Sequence, residues 1–142
     1  MFYFDKQNPN VLYVDIREED LILCDGRKLK IKPDEIVDFR SMPYKNKSFN
    51  LVIFDPPHLK TLGKTSWMAK KYGVLSPTWE EDISKGFSEC WRVLKKGGTL
   101  IFKWNEAEIK LKQLISCFPI KPLMGHTTTT NLKTKWLVFY KE

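Results

Sequence analysis

The apolar pattern in the first half of the chain predicts a series of short strands. Residues 11–16 form an apolar run that ends at Asp15 and a charged cluster, and residues 35–40 form a second run in which Asp38 is the acidic end. Phe49–Phe54 is a continuous apolar block rich in β-branched residues, which is typical of a strand buried on both faces of a sheet.

Between the first two runs, residues 21–31 have the pattern of a β-hairpin. Two alternating segments flank Asp25-Gly26, and glycine readily adopts the positive φ that a tight hairpin turn requires. The sequence therefore predicts an inserted hairpin at this point.

Helical periodicity begins only in the second half of the chain. Thr78 and Glu81 have capping-box spacing, and Gly97-Gly98 is expected to stop the helix that begins there. Residues 59–72 lack this period and are predicted as a loop, whereas residues 106–117 are predicted as a second helix. The apolar residues that recur at helical spacing, and so predict a core-facing stripe, are Trp79, Ile83, Phe87, Cys90, Trp91 and Leu94.

Strands that alternate with helices in this order predict an α/β fold. Strands at residues 99–104 and 135–141 complete the pattern, and we expect a mainly parallel sheet with an antiparallel C-terminal edge. The chain has 142 residues, enough for one such domain with its own core, so residues 1–142 are predicted to form a single domain.

The composition is that of a globular protein of the cytoplasm. Hydrophobic residues make up 42% and charged residues 29%, and no apolar run approaches the roughly 20 residues that span a bilayer. The three cysteines lie far apart and do not form metal-ligand spacing with the histidines, so we expect reduced thiols and no metal site. The net charge of +7 is compatible with a polyanionic partner such as nucleic acid.

The residues that follow the buried strand have the composition of a ligand site. Asp55 comes directly after Phe49–Phe54, and Pro56 and Pro57 end the strand because proline has no N–H to donate to a ladder. In open α/β sheets, ligands bind at the carboxyl ends of the strands. Asp55 is therefore the first candidate for a functional side chain.

Four short motifs around this strand, taken in order, resemble the class I S-adenosylmethionine-dependent methyltransferases. They are an acidic strand end at Asp38, Met42-Pro43-Tyr44 with residues 48–52, the proline pair after Phe54, and Arg92-Val93-Leu94-Lys95-Lys96-Gly97-Gly98. Each motif is loose, but the ordered set is fairly specific and covers residues 35–104. The resemblance implies a Rossmann-like methyltransferase sheet, truncated at its N-terminus, with S-adenosylmethionine as the cofactor.

Asp55-Pro56-Pro57-His58 resembles the (Asp/Asn)-Pro-Pro-aromatic motif of methyltransferases that act on exocyclic amines of bases. The resemblance implies that Asp55 and the Pro56 carbonyl accept the two amine hydrogens and orient the nitrogen lone pair toward the methyl group, which is catalysis by positioning. His58 stands where the family has an aromatic residue that stacks on the flipped base. The implied catalytic residues are Asp55, Pro56, Pro57 and His58, and the implied partner is nucleic acid, with DNA adenine or cytosine favoured.

The chain departs from the family at its front. No glycine precedes Gly26 and no Gly-x-Gly occurs, so the Gly-rich turn that approaches the cofactor is missing, and the hairpin would stand in for the lost helix. Two assignments stay open. In one, residues 11–16 match the family's second strand, Asp15 holds the ribose and Asp38 faces the adenine. In the other, residues 11–16 take the central place beside Phe49–Phe54, and Asp38 holds the ribose. The residues expected to bind the cofactor are Asp15, Ile16, Arg17, Asp38, Phe39, Arg40 and Asp55.

A basic and aromatic segment follows the motif. Lysines interleaved with aromatic rings suit contacts with phosphates and stacking on bases, although a solvated loop can have the same composition. Trp104 ends the next strand at the same sheet edge and is a candidate either for the base pocket or for the core. The candidate substrate contacts are Lys60, Lys64, Trp67, Lys70, Lys71 and Trp104.

Together these features favour an enzyme that methylates an exocyclic amine of a base, with DNA as the preferred substrate. Methylation of RNA or of a small molecule is the alternative among enzymes, and a binding module that has lost its cofactor is the alternative outside them. Because a chain this short leaves no room for a target-recognition domain, we expect self-association or a partner subunit that completes the cofactor pocket. Short methyltransferases of this kind resemble those of phages and prophages.

Overall fold

The computed structural model describes residues 3–5, 7–63, 66–126 and 133–142. Within these ranges the chain divides into two compact units, Met1–Asp38 and Phe39–Glu142, and each has strands of its own. No helix in the part of the chain that the structure describes is long and apolar enough to cross a membrane.

The first unit contains a short parallel ladder. β1 (Val14–Asp15) pairs with the later strand Glu35–Ile36, and Asp15 lies opposite Ile36. Both strands are shorter than the predicted runs, since the ladder pairs only residues 14–15 with residues 35–36. Their parallel pairing nevertheless brings the two carboxyl ends to the same edge, with Asp38 two residues beyond the second strand.

The predicted hairpin is confirmed in the same unit. β2 (Glu19–Ile22) and β3 (Lys28–Ile31) pair in antiparallel fashion, and Gly26 has a φ of 81° in the turn that joins them. The Leu23 carbonyl accepts the Gly26 N–H at 2.9 Å, which closes the turn. The strand Glu35–Ile36 that follows the hairpin is β4.

A four-stranded mixed sheet organises the second unit. Its strands are β5 (Phe49–Phe54), β6 (Leu94–Asn105), β7 (Met124–Gly125) and β8 (Thr134–Tyr140), and their order in the sheet is β5, β6, β8, β7. β5 and β6 run parallel, whereas β8 is antiparallel to both β6 and β7. The expectation of a mainly parallel sheet is therefore wrong for this unit, and the antiparallel C-terminal strand lies inside the sheet, with β7 outside it.

The core of this unit lies between the sheet and the long helix of the β5–β6 crossover. That helix is α2 (Trp79–Val93), and the shorter α1 (Trp67–Tyr72) precedes it. The predicted apolar stripe is confirmed within α2, where all of its residues but Trp91 are buried, whereas Leu94 is buried as the first residue of β6. The buried side chains that face the helix stripe from the sheet include Phe54, Leu100, Phe102, Trp104, Leu137 and Phe139.

The ends of α2 differ from the prediction. The helix stops at Val93, where Leu94 turns to extended backbone, and Thr78 makes no side-chain capping bond at the start. Gly97 and Gly98 lie inside β6, where the register with β5 shifts. Gly97 has a φ of 78°, and a Cβ on Gly98 would lie 2.8 Å from the Asn50 carbonyl oxygen. The glycine pair therefore serves an irregular strand and not the end of a helix.

Two further elements depart from the sequence prediction. Residues 67–72, predicted as loop, form α1, which ends at Gly73 with a φ of 76°. The helix predicted for residues 106–117 is only α3 (Leu111–Ile115). The Asn105 side chain accepts the Ala107 N–H at 3.0 Å and the Glu106 side chain accepts the Leu111 N–H at 2.8 Å, so these two bonds hold the preceding residues in a turn.

Candidate active site

Asp55 lies at the carboxyl end of β5, beside Lys103 of β6. Phe54 and Phe102 are register partners in the parallel ladder, so the residues that follow them emerge side by side. Lys103 Nζ donates to Asp55 Oδ2 at 2.7 Å, and the two side chains are 26% and 36% exposed. The carboxylate that the sequence singles out is therefore one half of an accessible ion pair.

The two prolines of the motif are packed, not exposed. Pro56 is buried and Pro57 is half-buried. A Cβ on Gly73 would lie 3.1 Å from Pro57 Cγ, so the end of α1 closely approaches the motif. The Leu75 N–H donates to the Leu59 carbonyl at 2.8 Å. This bond holds the segment that follows α1 against Leu59, the residue directly after the motif.

His58 is a half-buried ring between two other aromatic side chains. Its centroid lies 6.2 Å from that of Trp104, nearly at right angles, and 6.1 Å from that of Tyr72. Burial lowers the pKa of His58, and the nearby Lys103 acts in the same direction, whereas the carboxylates of Asp55 and Glu108 oppose it. The lowered pKa favours the neutral imidazole at pH 7.

These side chains surround an open pocket of about 350 Å³. This volume is at the small end of ligand sites and suits a single ring system more than an extended ligand. Its lining combines apolar and aromatic side chains with charged and hydrogen-bonding groups. The pocket is lined by Asp55, His58, Leu59, Met68, Tyr72, Lys103, Asn105, Ala107, Lys133 and Thr134.

Glu108 anchors the segment that leaves the motif. Its carboxylate accepts the backbone N–H of Lys60, the N–H of Thr61 at 3.2 Å and the Thr61 hydroxyl at 2.5 Å. The Thr61 hydroxyl bond, followed by the Lys60 N–H bond, lowers the pKa of Glu108. Sequence reasoning missed this residue, because nothing in its spacing shows that the turn after β6 reaches the turn after β5.

This anchor predicts a pH-dependent change in the loop. The folded pKa of Glu108 lies below its ordinary value of 4.5, so the anchor is fully formed above that pH and is lost as the pH falls through the lowered value. We expect the Thr61 amide resonance to titrate in this acidic range by NMR, and the titration to vanish in Glu108→Gln. Glu81→Gln, on the exposed face of α2, is the control and should leave it in place. A titration that persisted in Glu108→Gln would contradict the anchor.

None of the predicted substrate contacts that the structure describes lines the pocket. Lys60 Nζ lies 5.6 Å from the centre of the Trp79 ring, and Lys71 Nζ lies 5.0 Å from the centre of the Tyr72 ring. From α1, Met68 and Tyr72 line the pocket. Trp67 and Lys70 are half-buried on the same helix without lining it, and Lys64 lies outside the described residues.

Trp104 supports the site from inside the core. The side chain is buried at 1% exposure, and its Nε1 donates to the Ile109 carbonyl at 3.0 Å. Its ring packs edge-on against His58 and does not itself line the pocket. Lys103, Asn105, Lys133 and Thr134 are the polar pocket residues that sequence reasoning missed, although the parallel pairing of β5 with β6 would have pointed to Lys103.

The Met-Pro-Tyr and Arg-Val-Leu motifs are joined by a structural clamp. Arg92 donates to the Met42 carbonyl at 2.9 Å and to the Tyr44 carbonyl at 2.7 Å. It also pairs with Glu89 at 2.7 Å, and Glu89 accepts the Met42 N–H at 2.7 Å. These residues hold the loop before β5 against the end of α2, so their role in this chain is to position the strand that carries Asp55.

The two acidic candidates for cofactor binding in the first unit, Asp15 and Asp38, follow parallel strands at one sheet edge. Asp15 Oδ1 accepts the Arg17 N–H and Nε–H, and Oδ2 accepts from Arg17 Nη2, each at 3.0 Å. Ile16 between them is 55% exposed. A ribose diol and an adenine amine need acceptors of this kind, so the acidic residues fit those parts of S-adenosylmethionine. β1 pairs with β4, and among the described residues β5 has β6 as its one strand neighbour, so the pairing of residues 11–16 with Phe49–Phe54 that the second assignment requires is not found.

Two candidate cofactor residues of the second unit contact other side chains of that unit. Phe39 lies 5.2 Å from Phe54 between ring centroids, and Arg40 pairs with Asp82 at 3.2 Å. Among the residues that the structure describes, no group of three His, Cys, Asp or Glu side chains could hold a metal ion.

Comparison with family models, with curated proteins and with solved structures finds no match for this chain. The chemistry of the site therefore has to be inferred from its own residues.

Proposed function

We propose that this protein is an S-adenosylmethionine-dependent methyltransferase acting on an exocyclic amine of a nucleic-acid base, with DNA as the favoured substrate. The observation that carries the proposal is the Asp-Pro-Pro-His turn at the carboxyl end of a strand, opening into a pocket the size of one ring system. The order of motifs and the parallel β5–β6 crossover through α2 are in keeping with a truncated methyltransferase sheet.

The pocket residues suit the handling of a weakly nucleophilic amine. An amine conjugated to an aromatic ring has a delocalised lone pair, so the useful contribution of the protein is orientation. Asp55 retains acceptor capacity beside Lys103, because a carboxylate accepts about four hydrogen bonds. Asp55 and the Pro56 carbonyl would each accept one amine hydrogen, which aims the lone pair out of the plane of the base.

The remaining roles are assigned to the cofactor and to Asp15, Asp38 and His58. When bound, S-adenosylmethionine supplies a methyl group made electrophilic by the attached sulfonium. Asp15 and Asp38 would hold its ribose and adenine as hydrogen-bond acceptors. The neutral imidazole of His58 lines the pocket and would accept the proton that the methylated amine releases, in addition to contacting the base.

A binding module without transferase activity is the second candidate. The absence of Gly-x-Gly and the Lys103 ammonium on the Asp55 carboxylate favour it, since both weaken cofactor binding or the acceptor. For the transferase, a second copy of the chain or a partner subunit would complete the cofactor pocket that the missing Gly-rich turn leaves open.

Calorimetric titration of S-adenosylmethionine into the full chain separates these candidates. The transferase account expects binding that Asp38→Ala abolishes and that Asp20→Ala, an exposed acid of the hairpin, preserves. Absence of binding to the wild-type chain would reject the stand-alone enzyme. Binding that survives Asp38→Ala would reject the assigned acceptor.

A further inference from the structure

Lys103 and Lys133 both line the pocket, and Lys103 is the one that pairs with the catalytic candidate Asp55. Its ammonium lies 2.7 Å from Asp55 Oδ2 and 5.9 Å from the centre of the Trp136 ring. The ladder between β5 and β6 sets its backbone beside that of Asp55, so the donor and the acceptor are presented as a pair. Both side chains line the pocket.

The pair is not explained by fold stability. Each side chain is at least one quarter exposed, at 26% and 36%, and ion pairs this open to solvent contribute little to stability. Lysine has a flexible stem and three N–H donors, so its ammonium can stay near Asp55 and still donate to a ligand. The positive charge of Lys103 also attracts acceptor atoms of a ligand and repels its N–H groups, regardless of which hydrogen bonds the ammonium itself makes.

We infer that Lys103 is a specificity-determining residue that recognises the ring nitrogen next to the amine held by Asp55. On the Watson–Crick edge of adenine and of cytosine, the exocyclic amine lies beside an unprotonated ring nitrogen, which is a donor next to an acceptor. The Asp55–Lys103 pair presents the complementary acceptor and donor. The inference rests on the proposed function, because it requires a base whose amine Asp55 accepts.

The same pair discriminates against the other two DNA bases. Guanine presents its amine next to a protonated ring nitrogen on this edge, and that N–H would face the Lys103 ammonium. Thymine has a ring N–H between two carbonyls and no amine for Asp55. A well-matched pair of contacts to a base edge gives roughly tenfold or greater discrimination, which sets the expected size of the effect.

The test is calorimetric titration of dAMP, dCMP, dGMP and dTMP into the full chain without cofactor. The four ligands share sugar and phosphate chemistry, so their affinity ratios report on the base. We expect dAMP and dCMP to bind at least about tenfold more tightly than dGMP and dTMP. Lys103→Met should reduce the preference over dGMP to near one and the preference over dTMP, to which Asp55 also contributes, by less, and Lys103→Arg should retain most of both.

Lys133→Met is the matched control, because Lys133 lines the same pocket. If it contributes only positive charge, its loss should weaken all four nucleotides alike and leave the ratio unchanged. Any of three results would overturn the inference. They are an affinity ratio that Lys103→Met leaves unaltered, an equal loss of affinity for all four nucleotides in that variant, and a wild-type chain that binds no nucleotide. If the affinity ratio depends on Lys103 but the chain transfers no methyl group, base recognition by Lys103 is upheld and the transferase proposal is rejected. Failure of the inference and failure of the proposed function are therefore distinguishable.

Discussion

The rate constant for methyl transfer will fall at least about 100-fold when Asp55 is replaced by alanine. The proposed acceptor of the target amine is then missing, and loss of one preorganised hydrogen-bonding group at a reacting centre typically has an effect of this size. Binding of the cofactor by the acidic residues of the first unit should change much less. The measurement is single-turnover transfer of labelled methyl groups to DNA under saturating cofactor.

Asp55→Asn is the informative companion variant. Its amide oxygen still accepts one hydrogen bond, and asparagine occurs at this place in the motif that the chain resembles, so we expect an activity between those of Asp55→Ala and the wild type. The fold should be retained in both variants, because the pair with Lys103 is solvent-exposed. Asp55→Ala with activity within tenfold of the wild type and an unchanged melting temperature would contradict the assigned role.

Gly86→Ala will destabilise the protein by roughly 2 kcal/mol, although the same change inside an exposed helix usually stabilises. A Cβ at this position would lie 2.5 Å from Phe39 Cδ2 and 2.6 Å from Phe54 Cζ. Both are ring atoms of buried or half-buried side chains, and Phe54 directly precedes Asp55. The packing of α2 on β5 must therefore open to accommodate one methyl group. Urea denaturation followed by circular dichroism measures the change.

Ser88→Ala on the exposed side of α2 is the control, and its effect on the free energy of unfolding should stay within about 0.5 kcal/mol. The close packing at Gly86 would be disproved if Gly86→Ala unfolded at the same or a higher urea concentration than the wild type.

Local features of the sequence predict several parts of this fold. Asp25-Gly26 marks the hairpin because its turn needs a positive φ, and that requirement is local. The apolar stripe of α2 can be predicted from the sequence because helical spacing alone selects the face that packs on the sheet. The position of Asp55 at the carboxyl end of β5 can also be predicted, because the proline pair ends the strand.

Other features depend on contacts that no short stretch of sequence displays. Gly97-Gly98 resembles a helix stop, but the register of β6 with β5 places the pair inside a strand. The turn before α3 is held by Asn105 and Glu106 side chains that compete with helical hydrogen bonds. Lys103 and Glu108 join the site only because β6 and its following turn lie beside the end of β5, a pairing between residues about 48 positions apart.

The most direct test of the central claim is transfer of an isotopically labelled methyl group from S-adenosylmethionine to duplex and single-stranded DNA by the full chain. The DNA is then digested to nucleosides, which are identified by mass spectrometry. The account predicts label on the exocyclic amine of adenine or cytosine, and its loss in Asp55→Ala. A chain that binds S-adenosylmethionine but leaves every DNA nucleoside unlabelled would contradict it.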